Sequence, residues 1–273
     1  MPDPATPMTR RVSATLTGEV LADSDLSLAI AVALGPTIVD ERLEVSVGGI
    51  PVPVTEVVDD SGIRRHVLDH LPLGRLAISY AATVRGRSPE APVRPIDPIE
   101  MTWPSRYCDS DRLANVARVE FEGLSGKPLV DAVVTWVNRR LIYVSGSSRV
   151  LDGATEIFLA NEGVCRDFGH LVIALLRARG VPARLVSVYA PGLSPMDFHA
   201  VVEVLLEGRW YAVDATRMAP RSSLLRIAAG RDAADTAFMT VPRGNIRLDT
   251  IQILATVDGL LPIDDPRQLV QLG

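Results

Sequence analysis

Apolar positions recur with two different periods along the 273-residue chain. In roughly the first hundred residues they alternate. Val12-Ser-Ala-Thr-Leu-Thr-Gly, Leu26-Ser-Leu-Ala-Ile-Ala-Val-Ala-Leu, Leu43-Glu-Val-Ser-Val and Arg75-Leu-Ala-Ile-Ser-Tyr alternate large with small or apolar with polar side chains. Period two turns one face of a strand inward and the other outward, so this part is predicted as β structure. Gly48-Gly49 and Asp60-Ser61-Gly62 mark turns between the runs. Pro89, Pro92, Pro95, Pro98 and Pro104 then follow. Prolines at that density favour an extended, semi-rigid segment over a helix. The pattern predicts a β-rich, sandwich-like domain over residues 1–100, ending in a proline-rich linker (86–104), and a second domain over 101–273.

The second part shifts between periods. Ser110 to Phe121 reads as a helix with Ser110 as N-cap. Pro128 to Leu141 reads as another, with Leu129, Val133, Val137 and Leu141 in one stripe. A short helical piece is expected near Ala154 to Ala160. Phe168, Leu171, Val172, Leu175 and Arg179 then follow i, i+3, i+4, i+7, i+11. Gly180 and Pro182 end that helix, which is predicted over Gly163 to Arg179. Strands are expected at Arg184 to Tyr189, Phe198 to Leu206 and Trp210 to Asp214, with Glu207-Gly208 as the tight turn of the last pair.

Composition narrows the function classes. There are 28 Lys and Arg against 33 Asp and Glu, for a formal net charge of -5. No global basic field exists, so nucleic-acid binding loses its main electrostatic driver. Two cysteines, Cys108 and Cys165, are too few for a disulfide scaffold. The N-terminal stretch, with Asp3 and Glu19 and no apolar core, does not read as a signal peptide. The longest apolar run, Leu26 to Leu34, is far short of the roughly 20 residues that span a bilayer. A cytoplasmic protein with reduced thiols and no membrane partner is expected.

Cys165 falls in the first turn of its helix. Free backbone N–H groups and the positive dipole end favour a thiolate there, and the same groups can bind an oxyanion. A buried core cysteine is the competing reading. His199 and Asp214 add to the functional one. With Glu207-Gly208 as the turn, Leu206 opposes Arg209 and Asp214 opposes Val201. Asp214 then stands diagonally beside His199 on the same face. A carboxylate there can fix the imidazole tautomer and stabilise imidazolium. Cysteine, histidine and aspartate in this arrangement suit thiol-dependent acyl transfer, provided that the helix packs on the sheet.

Other candidates read as structural. His66 and His70 have i,i+4 spacing, but the segment is bounded by turns and carries Pro72, so a solvated pair is expected there rather than a metal site. His170 sits roughly 140° around the helix from Cys165, away from its face. Cys108 reads as a packing thiol. Cys108, Cys165, His170 and His199 match no compact zinc spacing, so no metal is expected. No acidic loop has EF-hand spacing either.

The motifs together resemble the transglutaminase-like superfamily, relatives of papain-like cysteine proteases. They are Gly163-Val-Cys-Arg-Asp-Phe168, Gly180-Val-Pro-Ala-Arg184, Asp197-Phe-His-Ala-Val-Val-Glu-Val204 and Gly208-Arg-Trp-Tyr-Ala-Val-Asp-Ala-Thr216. The match runs from about Leu129 to Thr216, and its flanks look like a bacterial subgroup with an N-terminal β domain. The resemblance implies an α+β, papain-like core, with the cysteine-bearing helix packed on an antiparallel sheet. It implies Cys165 as nucleophile, His199 as general base and acid, and Asp214 as orienting carboxylate. Tyr143, Tyr107 and Trp103 are candidates for the oxyanion or cleft side. Ala215 replaces a proline usual in the family. The activity implied is peptide or isopeptide hydrolysis on a peptide or protein substrate, with no cofactor. Protein-glutamine acyl transfer and a non-catalytic binding module with the same fold are the alternatives, as is partner assembly through an exposed strand edge of the N-terminal sheet.

Overall fold

The structure, a computed structural model, describes residues 8–272. Asp3, and with it the start of the N-terminal reading, lies outside the described residues. Strands β1 (Thr9–Val20), β2 (Ser24–Leu28), β3 (Thr37–Val47), β4 (Ile50–Pro51), β5 (Thr55–Val58), β6 (Arg64–Leu71) and β7 (Gly74–Arg85) build the first part. Alternation does what the sequence pattern requires. Val12, Ala14 and Leu16 of β1 and Leu76, Ile78 and Tyr80 of β7 are buried, while their neighbours point outward.

The second part adds α1 (Asp97–Glu100), α2 (Ala114–Glu120), α3 (Gly126–Arg140), β8 (Ile142–Tyr143), α4 (Ala154–Ala160), β9 (Glu162–Gly163) and α5 (Cys165–Arg177). These are followed by β10 (Ala183–Tyr189), β11 (His199–Leu206), β12 (Arg209–Val213), β13 (Leu225–Gly230), α6 (Ala233–Thr236), β14 (Met239–Arg243) and β15 (Ile246–Val257). The fold is α+β. One sheet runs β15-β1-β7-β3-β4, a second β14-β2-β6-β5 and a third β12-β11-β10-β13. The first two share one apolar core and form the sandwich.

Three elements differ from the sequence reading. The helix expected from Ser110 begins only at Ala114, because residues 110–113 form turns and Ser110 is buried without capping it. The strand expected over Leu26 to Leu34 ends at Leu28. Beyond it the backbone bonds irregularly: Ala29 N–H donates to the Phe238 carbonyl at 2.9 Å and Ala33 N–H to that of Arg226 at 2.9 Å. Lastly, β14 and β15 lie in the second part by sequence but pair with β2 and β1 of the first. The sandwich thus closes around strands from both ends of the chain.

α5 is buried on nearly every side and packs on β10 and β11, with α3 and α4 against it. Gly169 permits the close approach, since a Cβ there would stand 2.7 Å from Leu185 Cδ1. The sheet beneath is pinned by Glu203 of β11. This fully buried carboxylate accepts from Arg184 Nε and Arg226 Nη1, both at 2.8 Å. Burial alone would raise its pKa, but the two guanidinium groups hold it at about 2.

Candidate active site

The turn into α5 is fixed from both sides. β8 runs parallel to β9 with Tyr143 beside Gly163, and Val144 N–H donates to the Gly163 carbonyl at 3.1 Å. A Cβ on Gly163 would stand 2.7 Å from Asp167 Cβ, so no other residue fits that contact without movement. Asp167 accepts from Val164 N–H at 2.9 Å and pairs with Arg166 at 3.2 Å. A carboxylate at this position satisfies a free donor and suits the positive helix end. Cys165 is thereby held, half-buried, as the first residue of α5.

The β11–β12 hairpin has the register predicted from its turn. Leu206 opposes Arg209, and the ladder continues to Val202 opposite Val213. One step further, Asp214 reaches His199: Nε2 donates to Oδ2 at 2.9 Å. The other oxygen, Oδ1, accepts from Thr216 N–H at 2.8 Å and from Thr216 Oγ1 at 2.7 Å. Both carboxylate oxygens are therefore occupied and the group cannot swing.

Burial would lower the His199 pKa, but the Asp214 carboxylate outweighs it, with Cys165 adding in the same direction, and the value rises to about 10. Burial would raise Asp214, yet the imidazole and Thr216 keep its carboxyl below the usual range. The pair is thus imidazolium and carboxylate. The second ring nitrogen, Nδ1, makes no well-formed hydrogen bond to any described residue. The Cys165 side chain is the neighbour that interacts with the ring besides Asp214 and lines the same cavity.

Tyr143 places its hydroxyl at the Cys165 backbone N–H, and its ring lies 6.0 Å from that of Phe168. Its pKa is pushed up to about 12 by burial and by Cys165. Tyr107 lines the cavity and stacks on His170, ring centroids 5.3 Å apart. Trp103 lies elsewhere: its carbonyl accepts from Arg177 at 3.0 Å, at the far end of α5. The proline-rich linker places it at the opposite end of α5 from Cys165.

The remaining candidates take up separate positions. His170 is fully buried, and its Nε2 accepts from Ala233 N–H at 3.2 Å. Cys108 is fully buried, and burial pushes its thiol pKa up. His66 is buried on β6, whereas His70 is exposed beside Asp23 at 3.3 Å. Among the described residues, no group of three or more His, Cys, Asp or Glu is placed to hold a metal ion. No helix among them is long and apolar enough to cross a membrane.

A cavity of about 420 Å³ opens over Cys165 and His199, with Phe198, Phe238 and Ile251 on its walls. Sequence reasoning missed Thr216 and the two distant wall residues. The Asp214-Ala-Thr spacing, typical of an aspartate bonding two residues on, could have indicated Thr216. Nothing local points to Phe238 or Ile251.

Fold and site together define an α+β protein in which a helix-opening cysteine meets a histidine–aspartate pair on an antiparallel hairpin. Residues 123–215 match the model of the transglutaminase-like superfamily. The chain is similar over 98% of its length to "a putative cysteine protease" of Cytophaga hutchinsonii, with 30% identity, 97% of that chain covered and a TM-score of 0.87. An uncharacterized protein of Mycobacterium leprae is 29% identical over 151 residues, 50% of this chain and 53% of that protein. One of Mycobacterium tuberculosis is 32% identical over 125 residues, 44% of this chain and 40% of that protein. The chain belongs to the transglutaminase-like superfamily. It spans about half the length, or less, of these mycobacterial relatives.

Proposed function

We propose that the chain is a cysteine peptidase that hydrolyses peptide or isopeptide bonds through a thioester. The observation that carries this reading is the buried His199–Asp214 ion pair, 2.9 Å between Nε2 and Oδ2, set beside Cys165 at the start of α5. Cys165 Sγ attacks the amide carbonyl and a C–S bond forms. The Cys165 backbone N–H and the Tyr143 hydroxyl receive the oxyanion. His199 gives its proton to the departing nitrogen as the C–N bond breaks. Water then attacks the thioester carbonyl and gives a proton to His199, the C–S bond breaks, and the carboxylic acid product leaves as the Cys165 thiolate and the His199 imidazolium are restored. Asp214, clamped by Thr216, keeps the imidazole oriented throughout.

The test is incubation of the purified chain with a mixture of blocked peptides, followed by mass spectrometry of both chain and peptides. An acyl adduct on Cys165 and new peptide termini are expected, and both should vanish in Cys165→Ala. If products form equally well with Cys165→Ala, the reading is wrong. Products joined to an added amine, with no hydrolysis, would replace peptidase with acyltransferase.

A further inference from the structure

We infer that the cleft selects its peptide through a large apolar side chain beside the attacked carbonyl, held against a wall that the β-sandwich supplies. This rests on the acyl-transfer reading above. The wall starts at Phe198, the residue before His199. Its ring stacks on Phe238 with centroids 5.1 Å apart and meets Tyr189 at 5.7 Å. Tyr189 in turn stacks on Tyr80 of β7 at 6.2 Å. A line of four rings therefore joins the sandwich core to the cleft.

Phe238 is placed by the sandwich. Its carbonyl accepts from Ala29 N–H at 2.9 Å, and the next residue, Met239, opens β14 and pairs with Leu28. Ile251 faces the same cavity from β15, opposite Leu16 of β1, and is 39% exposed. Exposed apolar side chains are available to a ligand, and burying one large apolar group favours binding by about tenfold or more. Among the described residues, the cavity offers no free cation to an acidic side chain, and one oxygen of its carboxylate at Asp197 already accepts from Phe198 N–H at 2.7 Å. Arg166 is engaged with Asp167, Ser148 and the Arg149 carbonyl. Asp197 lies at the cavity and would repel an acidic side chain. Specificity then resides in Phe198, Phe238 and Ile251, two of them positioned by strands of the sandwich.

The experiment measures binding without chemistry. Cys165→Ala protein is titrated calorimetrically with blocked pentapeptides Ala-Ala-Xaa-Ala-Ala, Xaa being Phe, Leu, Asp or Lys. The Phe and Leu peptides should bind at least about tenfold tighter than the Asp and Lys peptides. The preference should disappear when Ile251→Asp is added, a substitution at an exposed site that leaves the core intact. Equal binding, a preference for Lys, no binding of any peptide at millimolar concentration, or a preference that survives Ile251→Asp would each overturn the inference. Apolar selectivity without Cys165-dependent turnover would leave this inference standing and remove only the peptidase reading. Turnover without selectivity would do the reverse.

Discussion

His199 and His170 are both buried in the same α+β part, yet burial leads to opposite proton affinities. At His170 desolvation prevails over the nearby Asp232 charge and the pKa falls to about 3. The ring is neutral, stacked on Tyr107, and serves as acceptor for Ala233 N–H. At His199 a carboxylate in direct contact reverses the outcome, and the pKa rises to about 10. The difference lies in one hydrogen bond to a charged partner whose other oxygen is already satisfied. A carboxylate in the neighbourhood does not suffice. Asp232 spends its oxygens on Tyr107 N–H at 2.8 Å and Ala234 N–H at 2.9 Å. One histidine is built to carry a proton and the other to exclude one.

The strongest way to break this contrast is to delete the proton carrier. His199→Ala should lower Cys165-dependent turnover by about 100- to 10,000-fold, as loss of a general acid–base group does, in steady-state assays on whichever peptide proves to be a substrate. A fall of less than tenfold would place His199 outside the reaction. Asp214→Asn tests the cause of the raised affinity. By NMR titration the His199 pKa should drop well below about 10, since only Cys165 then opposes burial. A value still near 10 would mean that Asp214 is not responsible.

The two rings should also limit stability at opposite ends of the pH scale. His199 binds its proton more tightly in the folded chain. Its contribution is full below about pH 6.5 and is lost as pH rises through about 10. His170 binds its proton less tightly in the folded chain, so its contribution is full above about pH 6.5 and is lost as pH falls toward 3. Each shift is worth on the order of a few kcal/mol. Urea unfolding across pH should show His170→Leu flattening the acid limb, and Asp214→Asn flattening the alkaline limb while also changing the acid limb, because the Asp214 carboxyl, itself held below the usual range, is removed. The smallest effect is expected from His170→Leu at neutral pH. It strands the Ala233 N–H and should cost about 1–3 kcal/mol of stability, while alkylation of Cys165 stays within about twofold of the parent.

Much of this site was legible in the sequence, for local reasons. A two-residue turn at Glu207-Gly208 sets the register of the whole hairpin, so Asp214 and His199 could be placed together by counting. The apolar stripe through Phe168 and Leu175, ending at Gly180, located α5 and hence Cys165. The cleft walls were not legible, because they depend on pairings between opposite ends of the chain. Arg10 opposes Val257 and Leu16 opposes Ile251, contacts that no local pattern encodes. Phe238 precedes a short strand whose partner, β2, lies in the first part. The abrupt end of β2 at Leu28 has the same origin: Ala29 and Ala33 donate to Phe238 and Arg226 of the second part instead of continuing a ladder. The alternation there was real, but tertiary partners determined the backbone.

On the proposed mechanism the His199–Asp214 pair makes Cys165 reactive. One measurement decides this: the rate of Cys165 carbamidomethylation by iodoacetamide at pH 6, read by peptide mass spectrometry, with glutathione as the free-thiol reference. A free thiol of pKa about 8.5 reacts slowly there. Cys165 should react at least about tenfold faster than glutathione, and the advantage should be lost in His199→Ala. A rate equal to or below that of glutathione, or one unchanged by His199→Ala, would mean that the pair does not activate Cys165.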